Sequence, residues 1–222
     1  MLTRLQKFSG LKKHTSYFLW GPRQVGKSTL LKQTFPHSIS FNLLDPIIFE
    51  QFQRDPSLLS QRLLAQTGVK GPVIIDEVQK IPQLLDVIQL LIDDHAIGFI
   101  LCGSSARKLK RGGANLLGGR AIRYELYPLV YKEIPHFDLI RALNHGLLPR
   151  HYLDDNPRDL LHAYVGDYLK EEILAEGLTR NVQAFSRFLD AAAFSHGEIL
   201  NYSNIASECG VYSSTVREYF QI

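Results

Sequence analysis

Eight residues constrain this chain more than any others: Gly21-Pro22-Arg23-Gln24-Val25-Gly26-Lys27-Ser28, followed by Thr29. They stand after the apolar run Tyr17-Phe18-Leu19-Trp20 and open a helical pattern from Ser28 to Gln33. Glycines at 21 and 26 let the backbone curl until successive N–H groups face an anion, and the helix that follows adds the positive end of its dipole. Gly-x-x-x-x-Gly-Lys-Ser is the spacing that cradles phosphate. Lys27 has the reach for the β- and γ-phosphates, and the Ser28 hydroxyl can complete a Mg²⁺ shell. Residues 21–29 are the candidate nucleotide contacts, and the fold must set a strand, a tight turn and a helix in line.

The alternation continues through roughly the first 135 residues. Apolar runs recur at Ile39 to Leu44, Val73-Ile74-Ile75, Phe99-Ile100-Leu101-Cys102 and Ala121 to Leu126. Short runs without polar alternation read as strands buried on both faces. Asp55-Pro56 starts a helix over Ser57 to Gln66, with the acid as N-cap and proline at the first position. Pro82 starts another, in which Leu84, Leu85, Ile88, Leu91 and Ile92 share a face. Five strands alternating with helices predict an α/β fold with a parallel, three-layer, five-stranded sheet.

From about Tyr152 the strand-like runs stop. Asp159 to Ala175 and Val182 to Phe194 read as helices. Ser203 to Cys209, the turn Gly210-Val211 and Ser213 to Phe220 read as a helix-turn-helix. Gln221-Ile222 stands where the β-hairpin of a winged helix is due, so an incomplete winged helix, cut from a longer protein, is expected. Charge divides the chain at the same place. Residues 1–150 hold 20 Lys and Arg against 11 Asp and Glu, a net of +9, whereas residues 151–222 hold 5 against 11, a net of −6. Two domains are expected, 1–150 and 151–222.

Composition excludes several classes. Of 222 residues, 45% are hydrophobic and 21% charged, too apolar for disorder. Cys102 and Cys209 lie far apart with no metal-ligand spacing near either, which excludes a disulfide framework and a zinc ribbon. No apolar stretch approaches the ~18 residues of a membrane helix. Arg4, Lys7, Lys12 and Lys13 are not followed by a signal-peptide core. The expectation is a cytoplasmic protein without a membrane partner.

Val73-Ile74-Ile75-Asp76-Glu77 supplies the acids. A buried strand carries Asp76 to its end, where it can hold Mg²⁺ with Ser28, and Glu77 directly after it can take a proton from an attacking water. Gly103-Ser104-Ser105 ends the next strand, whose place in such a sheet is between the phosphate-loop strand and the Asp76 strand. A hydroxyl there can orient the water; Ser104 is preferred, with Ser105 left open.

At these residues the chain resembles the AAA-type P-loop ATPases. It is similar to a prokaryotic group whose ATPase core precedes a winged helix and a further C-terminal domain of unknown function. Carrying the resemblance are residues 21–28, Ile-Ile-Asp-Glu-Val-Gln (74–79), Leu-Cys-Gly-Ser-Ser (101–105), Leu-Leu-Gly-Gly-Arg (116–120), Tyr-Glu-Leu-Tyr-Pro-Leu (124–129), Tyr-Val-Gly-Asp-Tyr-Leu (164–169) and the helix-turn-helix. The resemblance implies ATP as the nucleotide. It also implies that Arg120 is offered to a neighbouring subunit's γ-phosphate, the alternative being a solvated arginine at the sheet edge. It gives Gln79 no role beyond positioning.

Catalytic candidates are thus Glu77, Lys27, Ser104 and Arg120; metal candidates are Ser28 and Asp76. The leading reading is a Mg-dependent ATPase that couples nucleotide state to a conformational or assembly change. Its expected partners are ATP, further copies of itself and a protein docked on the winged helix. A DNA-associated regulator using ATP as a slow switch is the alternative, and a small-molecule kinase a third. Arg107, Lys108, Lys110 and Arg111 form an acid-free stretch suited to nucleic acid or to a neighbour's nucleotide. The helix-turn-helix itself is a poor DNA reader, since Arg217 is offset by Glu218 and DNA affinity rests on phosphate neutralisation.

Overall fold

Side chains along the first strand point alternately to two separate cores, and the sheet is therefore covered on both faces. Tyr17 and Leu19 join Leu30, Leu31, Ile74, Ile100 and Cys102 on one side. Phe18 and Trp20 join Phe52, Ile75, Leu85, Ile88 and Leu101 on the other. The computed structural model describes residues 2–8, 15–66, 71–104, 109, 117–168 and 181–220.

The strands are β1 (Ser16–Trp20), β2 (Ser40–Asn42), β3 (Val73–Asp76), β4 (Phe99–Gly103) and β5 (Ala121–Glu125), in the order β2-β3-β4-β1-β5. Every pairing is parallel. The helix α1 (Lys27–Thr34) lies in the Leu19 core, and α2 (Pro46–Arg54), α3 (Leu58–Leu64) and α4 (Leu84–His95) contribute to the Trp20 core. This is the expected five-stranded α/β sandwich. Because β4 lies between β1 and β3, the tips that follow Trp20, Asp76 and Gly103 emerge side by side at one edge of the sheet.

Several local expectations shift. The helix expected over 57–66 runs over Leu58–Leu64; the Asp55 carboxylate does accept from Ser57 N–H at 2.9 Å. Pro82 lies in the turn before α4, two residues ahead of its first helical residue. Asp45-Pro46 starts α2, which the sequence reading passed over, and the Asp45 carboxylate accepts from the N–H groups of Ile47 and Ile48. β5 is an edge strand, with Ile122 and Arg123 exposed, and is not buried on both faces.

The chain divides into two compact units, Met1–Asp155 and Asn156–Ile222. The first ends with α5 (Leu139–His145) and α6 (Pro149–Leu153). The second holds α7 (Arg158–Ala163), followed by a π-helical turn over Tyr164–Tyr168, then α8 (Val182–Phe194), α9 (Tyr202–Cys209) and α10 (Ser213–Tyr219). The expected helix from Asp159 therefore changes character after Ala163, and its continuation past 168 lies outside the described residues. Phe185 and Phe188 of α8, Ile205 and Cys209 of α9, and Val216 and Tyr219 of α10 close one core. Arg187 donates twice to the Cys209 carbonyl, at 3.1 and 2.9 Å, and so caps the end of α9. Among the described residues no helix is long and apolar enough to cross a membrane.

Candidate functional site

The loop between β1 and α1 is fixed from three sides. A Cβ on Gly21 (φ +157°) would sit 2.2 Å from the Leu126 carbonyl oxygen, so only glycine fits there. Leu126 N–H in turn donates to Trp20 O at 2.8 Å, locking the exit of β5 to the start of the loop. From behind, the Arg4 guanidinium donates to Val25 O at 2.9 Å and to Tyr127 O, and pairs with Glu133 at 3.1 Å. Both side chains of that pair are buried, at 8% and 3% exposure. Glu133 also accepts from Leu5 N–H at 2.6 Å. Sequence reasoning counted Arg4 only among the N-terminal charges, and a lone arginine 129 residues from its partner gives no signal to find it by.

Lys27 folds back over this loop, its Nζ donating to the carbonyls of Gly21 (2.6 Å) and Pro22 (3.0 Å). Burial pushes its ammonium below the usual lysine range, while the carboxylates of Glu77 and Asp76 pull it back up. The Ser28 hydroxyl donates to Asp76 Oδ2 at 2.7 Å, joining the start of α1 to the end of β3. The structure thus brings Lys27, Ser28, Asp76 and Glu77 into one cluster.

Glu77 is buried and adopts a left-handed backbone (φ 59°, ψ 42°), which a non-glycine residue enters at some cost. A 3₁₀ turn over Val78–Lys80 follows and returns Gln79 toward the site. The Gln79 amide nitrogen donates to Glu77 Oε2 and, at 3.3 Å, to Ser104 Oγ. Ser104 therefore belongs to the cluster; Ser105 lies outside the described residues, as do Arg107, Lys108, Lys110 and Arg111. Cys102, beside the cluster, has its thiol pushed well up by burial first and by Asp76 second, so it is a packing residue.

Arg120 is not brought to the cluster. It directly precedes β5, whose first residue, Ala121, pairs with Ser16 at the start of β1. Arg120 thus stands at the opposite edge of the sheet from Gly21, and its Nε donates to Asp93 of α4 at 2.7 Å on the surface.

The AAA domain family matches residues 13–135, more than half of the chain. The chain belongs to the AAA domain family. A domain of unknown function, DUF8612, matches residues 136–222. Uncharacterised proteins of Mycobacterium bovis and Mycobacterium tuberculosis are each 26% identical over 209 residues, covering 90% of this chain and 46% of their own. An uncharacterised protein of Haemophilus influenzae is 28% identical over 127 residues, 52% of this chain and 32% of its own. This AAA chain therefore spans about half the length of the curated relatives it matches most fully. Among solved structures, a Walker-type ATPase of Pyrococcus abyssi aligns with a TM-score of 0.52 at 15% identity, over 93% of this chain and 91% of that one. That likeness bears on the fold, which is the α/β P-loop ATPase sandwich.

Proposed function

We propose that the chain binds Mg–ATP on residues 21–29 and hydrolyses it, coupling nucleotide state to a conformational or assembly change. The observation that carries this reading is the 2.7 Å hydrogen bond from Ser28 Oγ to Asp76 Oδ2, which sets two hard oxygen donors beside a lysine poised over phosphate-binding backbone. Mg²⁺ takes few protein ligands and keeps several waters, so one hydroxyl and one carboxylate suit it. Bound there, the ion would neutralise charge on the phosphates.

The chain's own residues divide the remaining work. Lys27 exchanges the Gly21 and Pro22 carbonyls for phosphate oxygens. Glu77 accepts a proton from the attacking water, and the Ser104 hydroxyl orients that water or the γ-phosphate. Arg120 cannot serve its own loop, because the five residues of β5 at ~3.3 Å each separate the two edges. It suits a neighbouring copy's γ-phosphate, and the exposed Asp93 pair holding it is worth at most about 1 kcal/mol. Self-association and docking of a protein on the α8–α10 unit, read as an incomplete winged helix, belong to the same proposal.

The test is phosphate release from Mg–ATP by the purified chain, with no acceptor and with or without duplex DNA. Acceptor-independent release that DNA does not change is the expected result. Formation of ADP without phosphate release, seen only when a small-molecule acceptor is present and takes up the phosphoryl group, would identify a kinase, and release or ATP binding that depends on DNA would favour the switch-like regulator.

A further inference from the structure

Gln79 makes more contacts at the site than a neutral neighbour of the acidic pair requires. Its side chain is buried, and its amide lies between the carboxylate of Glu77 and the hydroxyl of Ser104. An ionised carboxylate only accepts, so the amide nitrogen must face Glu77 and the amide oxygen must face away. Both N–H bonds are then spent, one on Glu77 Oε2 and one on Ser104 Oγ. The oxygen has no hydrogen-bond partner among the described residues and lies over Gly103, where a Cβ would come within 2.2 Å of it. The same Cβ would come within 2.6 Å of the Trp20 ring. Glycine at 103 is the clearance that lets this amide into the sheet edge.

The amide has a fixed direction. Since Ser104 Oγ accepts from Gln79, the hydroxyl proton of Ser104 must point elsewhere, toward an acceptor. Phosphate oxygens only accept. Since Glu77 accepts from Gln79, its remaining lone pairs stay turned to a donor, and water is a donor. One carboxamide therefore sets the hydroxyl as donor and the carboxylate as acceptor, and it joins the two strand tips that carry them.

We propose that Gln79 is a positioning residue that couples the Ser104 hydroxyl, facing the γ-phosphate, to the Glu77 carboxylate, facing the water. The proposal rests on reading this site as an ATP-hydrolysing one. Glutamate at 79 would set a second carboxylate against that of Glu77, and asparagine is one methylene too short to reach both partners. Methionine keeps the volume and removes both donors.

The experiment uses the full chain and the variants Gln79→Met, Ser104→Ala, Ser104→Thr and the double Gln79→Met/Ser104→Ala. Phosphate release gives kcat, and titration with fluorescent ATP and ADP analogues gives affinity. Losing a hydrogen bond to a charged group is expected to lower kcat by ~10–100-fold in Gln79→Met. Affinity for Mg–ATP should stay within about threefold, the split that marks an effect confined to the transition state. The double variant should be no slower than the slower single, because the two act as one unit, and Ser104→Thr should restore most of the rate lost in Ser104→Ala. Wild-type kcat in Gln79→Met, or losses that multiply in the double, overturns the coupling and leaves the ATPase reading standing. Should Gln79→Met fail to fold by circular dichroism, the Ser104→Ala and Ser104→Thr pair decides: equal rates in the two overturn it. A wild-type chain that binds ATP without releasing phosphate overturns the hydrolysis reading instead. The coupling is then judged on ATP-over-ADP preference, which Gln79→Met and Ser104→Ala should shift in the same direction and by the same factor, within about threefold; a shift in Ser104→Ala that Gln79→Met lacks overturns it. A wild-type chain that binds neither nucleotide overturns both.

Discussion

Ser28 and Asp76, 48 residues apart, meet through a 2.7 Å hydrogen bond from hydroxyl to carboxylate. In the proposed Mg–ATP complex a cation held between them would take the place of that bond. Asp76→Asn keeps the hydrogen bond but removes the charge, so it should abolish the Mg-dependent part of ATP affinity while leaving binding in EDTA unchanged. Titration of a fluorescent ATP analogue with and without Mg²⁺ measures both arms.

Burial lowers the proton affinity of Lys27, so charging it costs more in the fold than in the unfolded chain, although the Glu77 and Asp76 carboxylates offset part of that cost. A base whose proton affinity falls on folding destabilises the fold most at pH values where both states are protonated, and the penalty fades as pH rises through its lowered value toward 10.5. Lys27→Met should therefore lose ATP binding and yet raise the melting temperature of the nucleotide-free protein at pH 7. The gain over wild type should shrink as the melt is repeated at pH 8, 9 and 10. A lower melting temperature at pH 7 would show that the two carbonyl hydrogen bonds outweigh the burial cost.

Arg120 lies at the far edge of the sheet from its own phosphate loop. Arg120→Ala should bind ATP as wild type does and lose ~10³–10⁵ in hydrolysis rate, the range of arginine fingers. Mixed with Glu77→Gln, which lacks the base but keeps Arg120, it should regain activity. Phosphate release over a concentration series of each variant and of the mixture is the measurement. Activity that neither depends on concentration nor recovers on mixing leaves Arg120 as a surface residue paired with Asp93.

Arg4 and Glu133 form a buried pair, and removing one partner strands the other charge. Arg4→Ala should cost about 3–5 kcal/mol, the usual penalty for breaking such a pair from one side. The urea midpoint should fall with an unchanged slope. ATP affinity should fall as well, because the Val25 carbonyl loses its donor. Unaltered affinity in the folded fraction would separate this clamp from the site.

What the sequence made legible was local. Gly21 to Ser28 and Val73 to Glu77 carry their meaning within eight and five residues, and the five apolar runs fell on the five strands. The edge position of β5 does leave a mark in the sequence: Arg123 and Glu125 interrupt Ala121 to Leu126, whereas the central runs at 17–20, 73–75 and 99–102 carry no charge. Asp45-Pro46 carried the same helix-start signal as Asp55-Pro56, but the apolar run before it drew the reading toward a strand. The resemblance pointed to Gln79 as a positioning residue, but its partners left no mark. Its reach depends on a left-handed Glu77, a 3₁₀ turn and a glycine on another strand, none of which leaves a spacing in the chain.

The Arg4 clamp gives residues 2–8 a mechanical meaning. Three of its bonds join the segment to Val25, Tyr127 and Glu133, so tension on the N-terminal end is carried by the phosphate loop and by the stretch after β5. Hydrogen bonds in a parallel sheet share load along a row, whereas Arg4 holds the phosphate loop through one carbonyl, that of Val25, and spends its other bonds on Tyr127 and Glu133. A shift of this segment therefore bears on the phosphate loop at one carbonyl and on the stretch after β5 at another, so the two move with a single guanidinium between them.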